Sequence, residues 1–208
     1  MKLMSAGLGV VVGLLYALSP AARAQESLAC TPPKILSRKD WGAKPPAFAM
    51  RPQTQQGIVI HHSGMPQYKK LTFTRYLQIM QKDAQTPQTL DTGLKRPAWA
   101  DLAYHFIVNW DGQIAEARSI DFAGDTNTHY DPTHRILIDV EGDFEKIIPS
   151  KAQVQALTQL IAYLTNHYKI SAQQITGHRD ETPATDCPGR NLYAKLPQII
   201  ASASRICP

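Results

Sequence analysis

The segment Gly177-His178-Arg179-Asp180-Glu181-Thr182-Pro183-Ala184-Thr185-Asp186-Cys187-Pro188-Gly189 places a histidine and a cysteine in one stretch punctuated by proline and glycine, the composition of a loop. Imidazole nitrogen and thiolate sulfur are ligands that tetrahedral Zn²⁺ favours. A catalytic zinc takes three protein ligands and keeps one position for water, so a third ligand is required elsewhere. Seven histidines are available: His61, His62, His105, His129, His134, His167 and His178. His167 falls near the end of a predicted helix, where a cation also suits the helix dipole, and is expected at the surface. His61 and His62 end the β-branched run Ile58-Val59-Ile60. Adjacent strand residues face opposite sides of a sheet, so only one of the two can turn toward a given ion, and spacing alone leaves open which.

Cys187 must be free to act as a ligand. The chain has three cysteines, and Cys30 and Cys207 stand near the two ends of the mature chain. Domain termini are often close in space, so a Cys30–Cys207 disulfide is expected, contributing on the order of 4 kcal/mol by chain entropy. Pairing of Cys187 with either terminal cysteine is the competing arrangement and would remove the metal site.

The elements that must position these residues form one domain. Lys2, the apolar run of residues 8–18 and Ser19-Pro20-Ala21-Ala22-Arg23-Ala24 have the charged start, short hydrophobic centre and small-residue end of a secretory signal. The expectation is residues 1–24 as a signal peptide cleaved after Ala24, an exported protein of periplasm or medium, and no remaining membrane span. About 180 residues then remain, enough for one domain with a core. Net charge is +5, with 22 Lys plus Arg against 17 Asp plus Glu spread along the chain. This balance argues against nucleic acid as a partner while favouring approach to anionic wall polymers.

Residues 25–56 read as an irregular N-terminal arm with Trp41 as its anchor. A buried strand is predicted over 57–62 and a helix over 71–82, followed by a long surface loop over 83–100. Residues 102–109 read as a strand, Asp111-Gly112 as a turn and 114–118 as the returning hairpin partner. A strand over 135–142 follows, then a helix over 152–168 with Ser150 as N-cap, and a final helix over 192–202. This alternation predicts an α/β fold: a mixed central β-sheet flanked by helices.

The order of these motifs resembles the zinc-dependent N-acetylmuramoyl-L-alanine amidases, the family that includes peptidoglycan recognition proteins and amidase-type phage lysozymes. Arg38-Lys39-Asp40-Trp41-Gly42-Ala43 looks like its opening motif. Ile58-Val59-Ile60-His61-His62-Ser63 looks like its apolar strand ending in His-His-Ser/Thr, and Ala103-Tyr104-His105-Phe106 with Asp111-Gly112 is similar to its Gly-Tyr-His/Asn-Phe strand and turn. The His178 to Cys187 segment is similar to its metal loop, though one residue longer than in the recognition-protein type. The resemblance spans residues 38–200. It implies a peptidoglycan recognition protein-like fold, an amidase domain over 38–203 preceded by an arm over 25–37, and a tail over 204–208 tied by the disulfide.

That likeness implies zinc bound by His61, His178 and Cys187. It nominates Tyr104 and Thr185 beside the metal, and Asp139 or Glu141 as a catalytic carboxylate, since some bacterial members carry a glutamate at the position of Asp139. The two carboxylates share one strand face. The implied reaction is hydrolysis of the amide between N-acetylmuramic acid and L-alanine, with peptidoglycan or a muropeptide as partner and a monomer as the expected state. Two rivals carry different chemistry: a binding module without catalysis, and a structural zinc domain whose fourth ligand is His62 or His105.

Overall fold

A computed structural model describes residues 32–90 and 93–207. The expected signal peptide (1–24) and Cys30, one partner of the expected disulfide, lie outside the described residues. Among these residues no helix is long and apolar enough to cross a membrane.

The elements are β1 (Ile35–Leu36), β2 (Gly57–His62), α1 (Phe73–Ala84), β3 (Gln88–Thr89), β4 (Lys95–Arg96), β5 (Phe106–Val108), β6 (Ile114–Glu116), β7 (Arg135–Val140), α2 (Lys151–Tyr168), β8 (Ile175–Gly177), α3 (His178–Glu181), α4 (Arg190–Tyr193) and α5 (Leu196–Ile206). Six strands form one sheet in the order β1-β6-β5-β7-β2-β8. Within this sheet, among the described residues, only the β5–β6 pair is antiparallel; β5, β7, β2 and β8 run parallel. The α/β fold with a mixed sheet flanked by helices is therefore the one the sequence predicts.

Strand alternation divides the core in two. Ile58 and Ile60 of β2 with Ile136, Ile138 and Val140 of β7 face α2 and α5, where Leu157, Leu160, Ile161 and Ile199 cover them. On the opposite face Ile107 and Ala115 pack with Trp41 and with Phe73, Tyr76 and Leu77 of α1. Caps set the helix starts: the Thr72 hydroxyl accepts from Arg75 N, while Ser150 and Gln153 form a reciprocal capping box.

Four sequence expectations are modified. The arm is not wholly irregular, because Ile35 and Leu36 pair in parallel with Ile114 and Ala115. Trp41 is fully buried, and its Nε1 donates to Glu116 O at 2.7 Å. The loop over 83–100 holds the β3–β4 hairpin, fastened by the Arg96 guanidinium, which donates to the carbonyls of Asp83, Ala84, Thr86 and Pro97. The strand expected over 102–109 shortens to Phe106–Val108, because the His105 ring replaces a backbone group in the ladder: its Nδ1 accepts from Leu137 N at 2.8 Å. The final helix breaks into α4 and α5. Pro197 lacks an N–H and its ring would clash with the carbonyl four residues back, so a second helix starts there and continues to Ile206.

Candidate metal centre

Parallel strands β2, β7 and β8 end on one side of the sheet, the usual place for a site in such folds. His61 is the fifth residue of β2 and turns away from the α2 side, whereas His62 turns toward it. There the His62 ring stacks on Phe144 and its Nδ1 accepts from Phe144 N at 3.2 Å. Of the adjacent histidines it is therefore His61 that lies beside His178 and Cys187. The ligand atoms of these three buried residues all lie within 4.8 Å of one another, a group that could hold a metal ion.

His178 opens α3 directly after β8. Its ring centroid is 4.5 Å from that of His61, and Cys187 Sγ is 3.7 Å from His61 Nδ1. The metal loop is closed by Arg179, whose backbone N donates to Cys187 O at 2.8 Å and whose guanidinium reaches Asp186 O. Glu145 holds that guanidinium at 3.3 Å and also accepts from Arg190 N at 2.7 Å. The two ends of the His178 to Cys187 segment are thus held by groups outside its tip. Cys187 is free of disulfide.

Burial shapes the protonation of the cluster. It holds His61 well below the ordinary imidazole range, an effect reinforced by His178, and pushes His178 down to about 4. Both rings are therefore neutral at pH 7, the form a metal ligand requires. Burial also pushes the Cys187 thiol up to about 12, opposed by the His62 N–H, which donates to Sγ at 3.3 Å. A cation is what would turn so buried a thiol into a thiolate.

Around the cluster, the Tyr104 ring lies 5.1 Å from that of His61, and burial followed by the Asp139 charge raises its phenol well above the usual range. Thr185 Oγ1 accepts from Cys187 N at 3.1 Å. Asp139 is the register partner of His61; it is fully buried and neither carboxylate oxygen has a hydrogen-bond partner. Burial, then the charge of Glu141, pushes Asp139 up to about 8. Glu141 is differently employed, since its oxygens accept from Tyr68 N at 2.7 Å and Trp110 N at 3.1 Å and so tie two loops together. His105 is a scaffold residue: besides its Nδ1 bond, its Nε2 lies 2.8 Å from Phe122 O. Two residues that sequence reasoning missed touch the ligands: Thr128 Oγ1 is 2.7 Å from His178 Nε2, and the Tyr130 hydroxyl is 3.4 Å from His61 Nε2. A cleft of about 390 Å³ leads from Tyr104 along α1, lined by Tyr68, Leu71, Tyr76, Met80 and Trp99.

Residues 51–190 match the family described as N-acetylmuramoyl-L-alanine amidase. Peptidoglycan-recognition protein LB of Drosophila melanogaster is 30% identical over 165 residues, covering 78% of this chain and 67% of its own length. The solved complex of a Tyr-to-Phe variant of that protein with tracheal cytotoxin superposes with a TM-score of 0.63 at 29% identity, over 78% of this chain and 92% of the other. The amidase LysC of Clostridium intestinale gives a TM-score of 0.64 at 24% identity, over 83% and 98%.

Proposed function

Because the chain belongs to the N-acetylmuramoyl-L-alanine amidase family, we propose that it is a zinc-dependent amidase that cuts between N-acetylmuramic acid and L-alanine in peptidoglycan. The observation that carries this reading is the buried group of His61, His178 and Cys187. Zinc bonds of roughly 2.0–2.3 Å set tetrahedral ligand atoms about 3.3–3.8 Å apart. The 3.7 Å between His61 Nδ1 and Cys187 Sγ fits that edge. Both candidates for a fourth protein ligand are committed elsewhere, His62 to Phe144 N and His105 to Leu137 N and Phe122 O. Three ligands and an open position favour a catalytic centre over a structural one.

Zinc, when bound, supplies Lewis acidity toward the amide carbonyl and makes water a nucleophile near neutral pH. The chain's own residues do the rest. Tyr104 keeps its hydroxyl protonated and offers a hydrogen bond to the oxyanion that develops on the scissile carbonyl. Thr185, fixed at the Cys187 backbone, is the second candidate donor. Asp139 is largely protonated at pH 7 in the metal-free protein, and a cation held beside it would favour its ionised form, in which it could take a proton from the attacking water and return it to the leaving amine. Glu141 contributes by ordering the loops of Tyr68 and Trp110 at the cleft. The apolar cleft beside Tyr104 would receive the stem peptide, in keeping with the tracheal cytotoxin, a monomeric diaminopimelic acid-type peptidoglycan, bound in solved relatives.

Export through the segment 1–24 and a Cys30–Cys207 disulfide belong to the same reading, supported by the free state of Cys187. Incubation of the mature protein with purified peptidoglycan, with and without a chelator, tests it by mass spectrometry. Free stem peptides that vanish with the chelator are expected. Retention of peptidoglycan without any peptide release would instead identify a recognition module.

A further inference from the structure

The two imidazoles grouped with Cys187 each meet a hydroxyl from one loop. That loop joins β6 to β7 and carries none of the three ligands. Thr128 Oγ1 sits 2.7 Å from His178 Nε2, and the Tyr130 hydroxyl sits 3.4 Å from His61 Nε2. The Tyr130 ring also packs against His178, with centroids 5.1 Å apart. Thr128 is itself oriented: its N donates to Thr126 Oγ1 at 3.1 Å, and the two threonine hydroxyls are 2.8 Å apart.

A neutral imidazole has one N–H and one lone pair, and the nitrogen that ligates a metal must offer the lone pair. With Nε2–H donated to a hydroxyl oxygen, Nδ1 is left bare. In His61 this Nδ1 is the atom that approaches Cys187 Sγ. The Thr128 hydroxyl proton has somewhere to go as well, since Thr128 can donate onward to Thr126 Oγ1. Resting on the zinc reading above, we propose that Thr128 and Tyr130 are positioning residues that hold His178 and His61 as Nε2–H tautomers and so fix both rings for ligation through Nδ1. One loop thereby sets the orientation of two ligands that are far apart in sequence.

Two measurements test this, and the first needs no metal. Nitrogen-15 NMR of the metal-free protein at about pH 7.5 reads the tautomers directly. Nε2–H is expected on both His61 and His178; Nδ1–H on either ring in the wild type would overturn the proposal. The second is zinc affinity by competition with a chromophoric chelator. Thr128→Val and Tyr130→Phe should each bind zinc about 10–100-fold more weakly, and Thr128→Ser should recover affinity to within about threefold. Unchanged affinity in both variants overturns the proposal while leaving the zinc centre standing. A wild type that takes up no zinc, with the tautomers as expected, overturns the zinc reading itself.

Discussion

Replacing Asp139 with asparagine should change how the metal-free protein responds to pH, by an amount that its surroundings fix. The carboxyl is fully buried without a hydrogen-bond partner, and its ordinary value of 3.8 rises to about 8. Between those two values the folded protein keeps a proton that the unfolded chain releases. Stability therefore falls as pH rises through this window: ionisation adds no penalty below about pH 3.8, and its full penalty is reached above about pH 8. The slope is about 1.4 kcal/mol per pH unit, so some 4 kcal/mol should be lost between roughly pH 4.5 and 7.5. Asparagine has nearly the same shape and does not titrate; its buried amide adds an offset that is constant with pH. The assay is urea unfolding of chelator-treated wild type and Asp139→Asn at several pH values across the window. The quantity to compare is the difference in slope, because His61, His178 and Cys187 titrate in both proteins. Parallel stability curves for the two would refute the account of Asp139 as an acid kept neutral by burial.

Tyr104→Phe should retain fold and zinc while the release of stem peptide slows about 10²–10³-fold, as expected for loss of one oxyanion donor; an unchanged rate assigns Tyr104 to packing alone. Cys187→Ser should lose bound zinc and activity together, whereas His62→Ala should keep one zinc per chain by elemental analysis, and reversal of that order would contradict the assignment of the adjacent histidines. His105→Leu strands the buried Leu137 N and the partly buried Phe122 O. At about 1–3 kcal/mol each, denaturant unfolding should reveal a loss of roughly 2–6 kcal/mol.

What the sequence disclosed and what it hid follow from the range of the interactions. β2 was legible because Ile58-Val59-Ile60 is a β-branched run, and α2 because Ser150 is an N-cap residue type followed by Val154, Leu157, Leu160, Ile161 and Leu164 at helical spacing. The ligand residue types were legible too, but the sidedness of His61 needed the sheet. Strand β5 was overdrawn because nothing local reveals that the His105 ring will take a ladder bond from Leu137. Thr128 and Tyr130 escaped notice for the same reason: they sit in irregular chain without periodicity, and their partners are distant in sequence. Glu141 was visible as a carboxylate, yet its service to Tyr68 N and Trp110 N is a tertiary fact.

The closure of the metal loop by Arg179 separates the length of that loop from the distance between the ligands it carries. With the Arg179 backbone bonded to Cys187 O and the guanidinium braced by Glu145, the ends of the segment are fixed by groups outside its tip at Pro183 and Ala184. Residues gained or lost at that tip would change contour alone, and lengthening a closed loop costs only about 0.6 kcal/mol per doubling. The tip is therefore a place where this chain can diverge in length from its relatives, or accept an inserted peptide, without redrawing the triangle of His61, His178 and Cys187.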